Sequence, residues 1–125
     1  FGDFENRSAD EMQDDMAYRA WVDGGCLAPC PNGEQRSEFS ARVCDAFRNV
    51  IEYENKHGGE KIVFVVHGGT IMAILERFAR PHRDFYSYSV HNCQGYLCQL
   101  CKAGSCEKIP FVLTEATLVR EVTVL

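Results

Sequence analysis

Residues 61–75 constrain the fold of this chain more than any other segment. Five consecutive apolar residues occupy positions 62–66, His67 and two glycines follow, and an apolar stretch with helical spacing then begins. An unbroken apolar run of this kind is typical of a strand buried on both faces of a parallel or mixed sheet that lies between helices. The segment therefore predicts an α/β fold in which residues 62–66 form an interior strand.

His67 is expected at the carboxyl end of that strand, where a helix starts. Open α/β sheets bind ligands in the crevice at this end of their strands. Gly68 and Gly69 would let an anion approach backbone N–H groups at the helix N-terminus, and such a position favours phosphate. The turn is thus a candidate phosphate site. The alternative is a structural strand-to-helix turn whose histidine is merely buried and hydrogen-bonded.

Outside the apolar run, we expect three helices and a β-hairpin. Ser8 and Glu11 form a capping box that would start the first helix, and Gly58-Gly59 would end the second. One strand and a hairpin are too little sheet for these helices to cover, so further strands are expected upstream. The predicted helices cover about residues 9–21, 34–56 and 70–79, and the predicted hairpin strands about 92–100 and 109–117. The predicted buried stripe of the second helix is Phe39, Val43, Phe47, Val50 and Ile51, with Cys44 and Ala46 alongside.

Length and charge limit the classes of protein to which the chain can belong. It has 125 residues, enough for one domain, and its net charge of −5 argues against binding to nucleic acid or to an anionic membrane. No apolar run approaches the roughly 20 residues that span a bilayer, and the first residues lack the features of a signal peptide. We therefore expect a cytoplasmic protein. The start at Phe1-Gly2 indicates a fragment of a longer chain.

The seven cysteines are an odd number, and several fall in predicted helices and strands, which argues against a complete disulfide framework. Reduced, buried thiols are the expected state. The alternative is a zinc site around Cys98 and Cys101, which have the spacing of a zinc knuckle. Alternation along a strand would point these two side chains to opposite faces, so no metal is expected. The other candidate ligands are Cys93, Cys106, His91, Cys26 and Cys30.

Four segments, taken in order, have the residues and spacing of one known family. They are Phe1-Gly-Asp-Phe-Glu5, Trp21 with Pro31-Asn-Gly-Glu34, Val66-His-Gly-Gly-Thr70, and Asn92-Cys93. These segments resemble motifs of the histidine phosphatase superfamily, the relatives of cofactor-dependent phosphoglycerate mutase, and His67 matches the second histidine. The resemblance implies a three-layer phosphoglycerate mutase-like sandwich. In this chain, residues 1–125 would form a single domain that lacks the N-terminal strand and helix.

The chain departs from the family at the nucleophile. Members begin with a strand ending in Arg-His-Gly, whose histidine is phosphorylated, and no Arg-His-Gly occurs in residues 1–125. The usual general acid, a Glu shortly before Phe-Gly, would precede residue 1. The chain thus resembles the carboxyl-terminal part of such an enzyme and is expected to be inactive alone. Its short stretch over residues 6–32 resembles the phosphatase branch, including the α-ribazole phosphatase type, rather than the mutases.

The resemblance implies phosphomonoester hydrolysis through a phosphohistidine intermediate in the parent protein. His67 would be the catalytic residue of the half-site present here and would donate, with the Gly68 N–H, to phosphoryl oxygens. No metal or organic cofactor is implied. The expected partner is a small phosphorylated metabolite, with a homodimer as a possible assembly. Two alternatives stay open: a non-catalytic phosphate-binding fragment and a small zinc-binding interaction domain.

Overall fold

A computed structural model describes residues 1–120 of the chain as a mixture of helices and one small antiparallel sheet, as in an α/β protein. The helices are α1 (Met16–Asp23), α2 (Arg36–Lys56) and α3 (Gly68–Phe78), and the strands are β1 (Gly95–Lys102) and β2 (Phe111–Val119). The chain divides into two compact units, Phe1–Arg42 and Val43–Leu125, and α2 crosses the boundary. Among residues 1–120, no helix is both long and apolar enough to cross a membrane.

The first predicted helix is interrupted. The capping box forms, since the Ser8 backbone N–H donates to Glu11 Oε2 at 2.7 Å and the Glu11 N–H donates to Ser8 Oγ at 3.3 Å. Only a short 3-10 turn follows, however, because Asp15 caps a new helix. Its Oδ1 accepts from the N–H groups of Ala17 and Tyr18 at 3.0 and 3.2 Å, which starts α1 at Met16. A side-chain acceptor of this kind competes with helix continuation, so one predicted helix becomes two short elements.

In the first unit, the N-terminal residues pack against α1 and against the loop that precedes α2. Phe4 is buried against the rings of Tyr18 and Trp21, whose centroids lie 5.5 and 5.8 Å from its own. The Asp3 N–H donates to the Pro31 carbonyl at 2.9 Å. Gly2 has a positive φ of 56°, and a Cβ at this position would overlap the Pro31 carbonyl oxygen. A glycine is therefore required where the N-terminal segment meets residues 31–33.

Helix α2 ends where the glycine pair predicts. Gly58 adopts a φ of 77°, and the Gly59 N–H donates back to the Glu54 carbonyl at 2.9 Å, which forms a Schellman cap. Its start lies two residues later than predicted. Within the predicted stripe, Cys44, Phe47 and Ile51 are buried. Val50 is 41% exposed and Ala46 is also exposed, so the buried face of α2 is narrower than the apolar pattern indicates.

Aromatic rings form the centre of the second unit. The Phe47 ring lies 5.0 Å from the Phe64 ring, 5.4 Å from the Phe78 ring and 5.9 Å from the Phe111 ring. Phe78 and Phe111 stack at 4.8 Å. The buried residues of this core are Cys44, Phe47, Ile51, Ile74, Leu75, Phe78, Ala79, Tyr88, Phe111 and Leu113. They come from α2, α3, the segment after α3 and β2, so this core depends on contacts distant in sequence.

The predicted hairpin is confirmed, with strands that begin two to three residues later than expected. Strands β1 and β2 pair antiparallel from Gly95 opposite Val119 to Lys102 opposite Phe111. A β-bulge interrupts the register between Leu97 and Gln99. On the facing strand Glu115 has a φ of 55°, a left-handed conformation that allows the extra residue of the bulge.

Residues 62–66 do not form the interior strand that the apolar run predicts. None of them lies in a strand, and within the described part of the chain their backbone groups make no hydrogen bond. Ile62 and Phe64 pack toward the core, whereas Val63 and Val65 are 87% and 95% exposed. The side chains alternate as in a strand, and the face of Ile62 and Phe64 is only partly covered, since Phe64 is 37% exposed. The prediction is wrong in this structure, since the sheet that the described residues form consists of β1 and β2 and neither strand pairs with this segment.

An ion pair joins Arg80, two residues after the end of α3, to the connection between β1 and β2. Arg80 Nε and Nη2 donate to the two carboxylate oxygens of Glu107 at 2.8 and 2.7 Å. The hydrogen bonds from Arg80 keep the pKa of Glu107 below its usual value. A carboxyl whose folded-state pKa is depressed stabilises the fold above the pKa of the unfolded chain, and this contribution disappears as the pH falls through the folded-state pKa.

We therefore expect Glu107→Gln to lower Tm at neutral pH, and we expect the Tm values of variant and wild type to converge as the pH falls through the depressed folded-state pKa of Glu107. Thermal unfolding followed by circular dichroism over a pH series measures the difference. Glu52→Gln is the control, because Glu52 Oε1 lies 4.0 Å from Arg48 Nε in an exposed pair. A Tm difference that stays constant down to acidic pH would show that the charge of Glu107 is not its cause.

Candidate active site

His67 lies immediately before α3, as its N-cap residue. Its φ of −72° and ψ of 156° are extended, and its carbonyl accepts from the N–H groups of Thr70 and Ile71 at 3.0 and 3.2 Å. The imidazole is exposed, and it makes no hydrogen bond to any residue in the described range. The alternative of a buried and hydrogen-bonded histidine is therefore not what the structure shows. The ring is open to a ligand from solvent.

The two glycines after His67 form the first turn of α3. The helix begins at Gly68, two residues earlier than predicted, which places the N–H groups of Gly68 and Gly69 at its N-terminus. Neither N–H has an acceptor among residues 1–120. A Cβ added to Gly68 would meet no atom within 4 Å, so the space beside this turn is open. Free N–H groups at the positive end of a helix dipole favour an anion.

Two of the other motif segments, Phe1–Glu5 and Trp21 with Pro31–Glu34, lie in the first unit and contact each other there, whereas Asn92-Cys93 lies in the second unit, in a turn before β1. Asn32 Nδ2 donates to Asp3 Oδ1 and Oδ2 at 3.2 and 3.1 Å, which adds to the Asp3–Pro31 backbone bond. Trp21 Nε1 donates to the Ala28 carbonyl at 2.8 Å and so fixes the loop that leads to Pro31. The structure thus brings together the Phe-Gly segment and the Pro-Asn-Gly segment. Both have structural roles in the packing of this unit.

The cysteines are free thiols in different surroundings. The Cys44 S–H donates to the Ala73 carbonyl at 3.4 Å, and burial raises the pKa of this thiol to about 11. Burial also raises the pKa of Cys98, which packs against the aromatic core. Cys101 lies on the same strand with its Sγ 3.4 Å from Thr114 Oγ1. Among the residues that the structure describes, no three His, Cys, Asp or Glu side chains are grouped to hold a metal ion.

A cavity of about 230 Å³ lies near the opposite end of α3 from His67. Its lining includes Arg80, Arg83, Tyr88 and Glu115. Sequence reasoning missed this feature because its residues come from the helix end, the following 3-10 turn and the bulge of β2, and no periodic pattern joins them. The pairing of arginine with aromatic residues over positions 83–88 is the one local signal that the sequence contains.

Comparison with known proteins gives one match. The family model of the histidine phosphatase superfamily (branch 1) matches residues 1–105. Neither the curated proteins nor the solved structures that were compared give a match. The matched range contains the Phe-Gly segment, the Pro-Asn-Gly loop, His67 with its two glycines, and Asn92.

Proposed function

This chain belongs to the histidine phosphatase superfamily (branch 1), and we propose that it serves in the hydrolysis of phosphomonoesters, with His67 and Gly68 as one half of the phosphate pocket. Membership in the superfamily supports a phosphatase-type function. The observation that carries the residue assignment is the exposed His67 imidazole beside the N–H groups of Gly68 and Gly69, which have no acceptor among residues 1–120. An imidazolium and helix N-terminal N–H groups are suitable donors to phosphate oxygens.

The chemistry that we propose divides the site between two histidines. The nucleophilic histidine of the parent protein attacks the phosphorus of a phosphomonoester, expels the alcohol and becomes phosphorylated, and water then hydrolyses the phosphohistidine. His67, in its protonated form, donates to a phosphoryl oxygen as charge shifts during transfer, and the Gly68 N–H is a second donor. Positioning and electrostatic stabilisation account for most of the catalysis of phosphoryl transfer. The substrate is a small phosphorylated metabolite.

The histidine nucleophile of the family has no motif counterpart in residues 1–125. No Arg-His-Gly occurs in the 125 residues, and the remaining histidines are His57, His82 and His91. His57 stacks on Tyr53 at 4.0 Å and its Nδ1 lies 2.7 Å from the Tyr53 carbonyl oxygen, which is a structural environment. This favours a parent protein in which another part of the chain provides the attacking group. The second candidate function, that of a non-catalytic phosphate-binding fragment, is supported by the same absence of an Arg-His-Gly motif from the 125 residues.

We also infer the shape of the intact domain and its branch. The bare face of Val63 and Val65 supports a three-layer sandwich, because apolar side chains on a strand-like segment need a covering layer. The connection between the Phe-Gly segment and the Gly33-Glu34 dipeptide that precedes α2 consists only of residues 6–32. So short a connection favours the phosphatase branch, of the α-ribazole phosphatase type, over the mutases.

The test is hydrolysis of an aryl phosphate with chelator present, by a polypeptide extended upstream of Phe1 and by residues 1–125 alone. We expect turnover only from the longer protein, and His67→Ala should slow it by roughly 10–100-fold, the equivalent of one charge-assisted hydrogen bond. His82→Ala is the control and should retain full activity.

Two results would contradict the proposal. Turnover by residues 1–125 that His67→Ala leaves intact would place the site elsewhere. Failure of the longer protein to form an acid-labile phosphoenzyme would remove the phosphohistidine mechanism. If the longer protein binds phosphate at Gly68 and Gly69 without turnover, as seen by amide chemical shifts, the non-catalytic alternative replaces the enzyme.

A further inference from the structure

We propose that Asp15 is a conformational switch, whose carboxylate selects a broken helix over the single helix that the sequence of residues 9–23 otherwise favours. In the folded chain, a 3-10 turn (Asp10–Met12) and α1 are separated at Asp15. Loss of the negative charge of Asp15 joins them into one helix. The inference concerns the first unit alone and does not depend on the function proposed for His67.

The break between the two elements is short. Ala9 and Gln13 have right-handed helical dihedrals, with ψ values of −36° and −35°, and the Asp15 N–H donates to the Met12 carbonyl at 3.0 Å, as in a 3-10 helix. Asp15 itself is extended, with a ψ of 112°. Residues 9–23 contain neither glycine nor proline, so their backbone propensities favour a continuous helix.

The Asp15 carboxylate stabilises the break through both of its oxygens. Its Oδ1 accepts from the N–H groups of Ala17 and Tyr18 at 3.0 and 3.2 Å, and its Oδ2 accepts from Arg7 Nη1 at 3.0 Å. In a continuous helix, these N–H groups would donate instead to carbonyls four residues earlier. The helix would also place Arg7 and Asp15 about 12 Å apart along its axis, too far for their ion pair.

The apolar cluster of the first unit fits only the broken form. Phe4, Met12 and Cys30 are buried in this cluster, and Tyr18 and Trp21 pack against it. Met12 and Trp21 are nine positions apart, which is about two and a half helical turns, so a continuous helix would place them on opposite faces. Phe4 would then lose contact with one of them. The switch therefore controls the burial of Phe4.

The protonation of Asp15 is the trigger. The hydrogen bonds from the Tyr18 N–H and from Arg7 hold the pKa of Asp15 below its usual value, and Arg7 is the charged group that faces Asp15 among the described residues. A carboxylate with a depressed folded-state pKa stabilises the broken form above the pKa of the unfolded chain, and this contribution disappears as the pH falls through the folded-state pKa. A neutral carboxyl is the weaker acceptor. Acidification should thus raise the helix content around Asp15.

The experiment measures backbone Cα chemical shifts and Trp21 fluorescence of isotopically labelled residues 1–125. At neutral pH, the unsubstituted chain should show helical shifts that are interrupted at Asp15. Asp15→Ala should show helical shifts without interruption over residues 9–23, together with a red shift of the Trp21 emission as the Phe4 ring leaves it. Asp14→Ala is the matched control and should keep the break, because Asp14 is an exposed neighbouring carboxylate and is not the residue that caps α1.

A pH titration separates the effect of charge from that of substitution. The shifts of the unsubstituted chain should move toward those of Asp15→Ala as the pH falls through the depressed pKa of Asp15. Arg7→Gln should move the midpoint to higher pH, because it removes a contact that lowers this pKa. The proposal is overturned if Asp15→Ala keeps the break or loses the helical shifts of α1, or if Arg7→Gln leaves the midpoint unchanged.

Discussion

Phe47→Ala is expected to lower the free energy of unfolding of the second unit by about 3–5 kcal/mol, the range for the removal of a buried phenyl ring. Phe47 is 7% exposed and its ring contacts the rings of Phe64, Phe78 and Phe111. The cavity left by the substitution would open between α2, β2 and residues 62–66. Urea unfolding followed by far-UV circular dichroism measures the loss.

Tyr53→Ala is the control for this substitution, since Tyr53 lies on the same helix and is 59% exposed. It should change the free energy of unfolding by less than about 1 kcal/mol. Phe47→Leu should fall between the two, because leucine fills part of the space. If Phe47→Ala and Tyr53→Ala cost the same, the aromatic cluster does not hold this unit together.

Gly2→Ala should have the second largest effect and should act on the first unit. A Cβ would overlap backbone atoms of residues 31–33, which have no rotamer by which to move away, and the φ of 56° is unfavourable for alanine. We expect a cost of at least about 2 kcal/mol, with loss of the Asp3–Pro31 hydrogen bond and exposure of Phe4. Trp21 is the single tryptophan of the chain, so its fluorescence follows this unit alone.

Gly25→Ala separates the cost of the positive φ from the cost of steric overlap with neighbouring backbone atoms. Gly25 also has a positive φ, of 68°, but an added Cβ would meet only the Leu27 side chain, at 4.0 Å. Its cost should be about 1 kcal/mol, from backbone conformation alone. Equal shifts in the unfolding midpoint of Trp21 fluorescence for the two variants would mean that the contact of Gly2 with residues 31–33 contributes nothing.

Sequence patterns predicted the elements that are stabilised by contacts between residues close in sequence. The Gly58-Gly59 cap ends α2 because the left-handed conformation and the back-donated hydrogen bond need only the residues on either side. The hairpin and α3 were predicted for the same reason, with boundaries shifted by two or three residues. At the candidate site, the order of His67 and its two glycines was enough to predict a helix start, where the N–H groups of Gly68 and Gly69 have no acceptor among the described residues.

Features that depend on distant contacts were not predictable from pattern. The apolar run at residues 62–66 shows that the segment prefers burial, but whether a neighbouring strand is present depends on other parts of the chain. The requirement for glycine at position 2 arises from its contact with Pro31, 29 residues away in sequence, and leaves no trace in the local spacing. The burial of the Tyr88 hydroxyl, which has no hydrogen-bond partner among the described residues, is a result of the packing around it and likewise has no sequence signature.

The uncovered valines at positions 63 and 65 bear on how the chain behaves at high concentration. A short segment with high β-propensity, no charge and no proline can stack with identical segments into a cross-β arrangement when both of its backbone edges are open. Residues 62–66 meet that description, since their backbone groups pair with no other residue among positions 1–120. For residues 1–125 alone, we expect a lysine at either position to reduce such stacking without disturbing Ile62 or Phe64, because Val63 and Val65 are exposed.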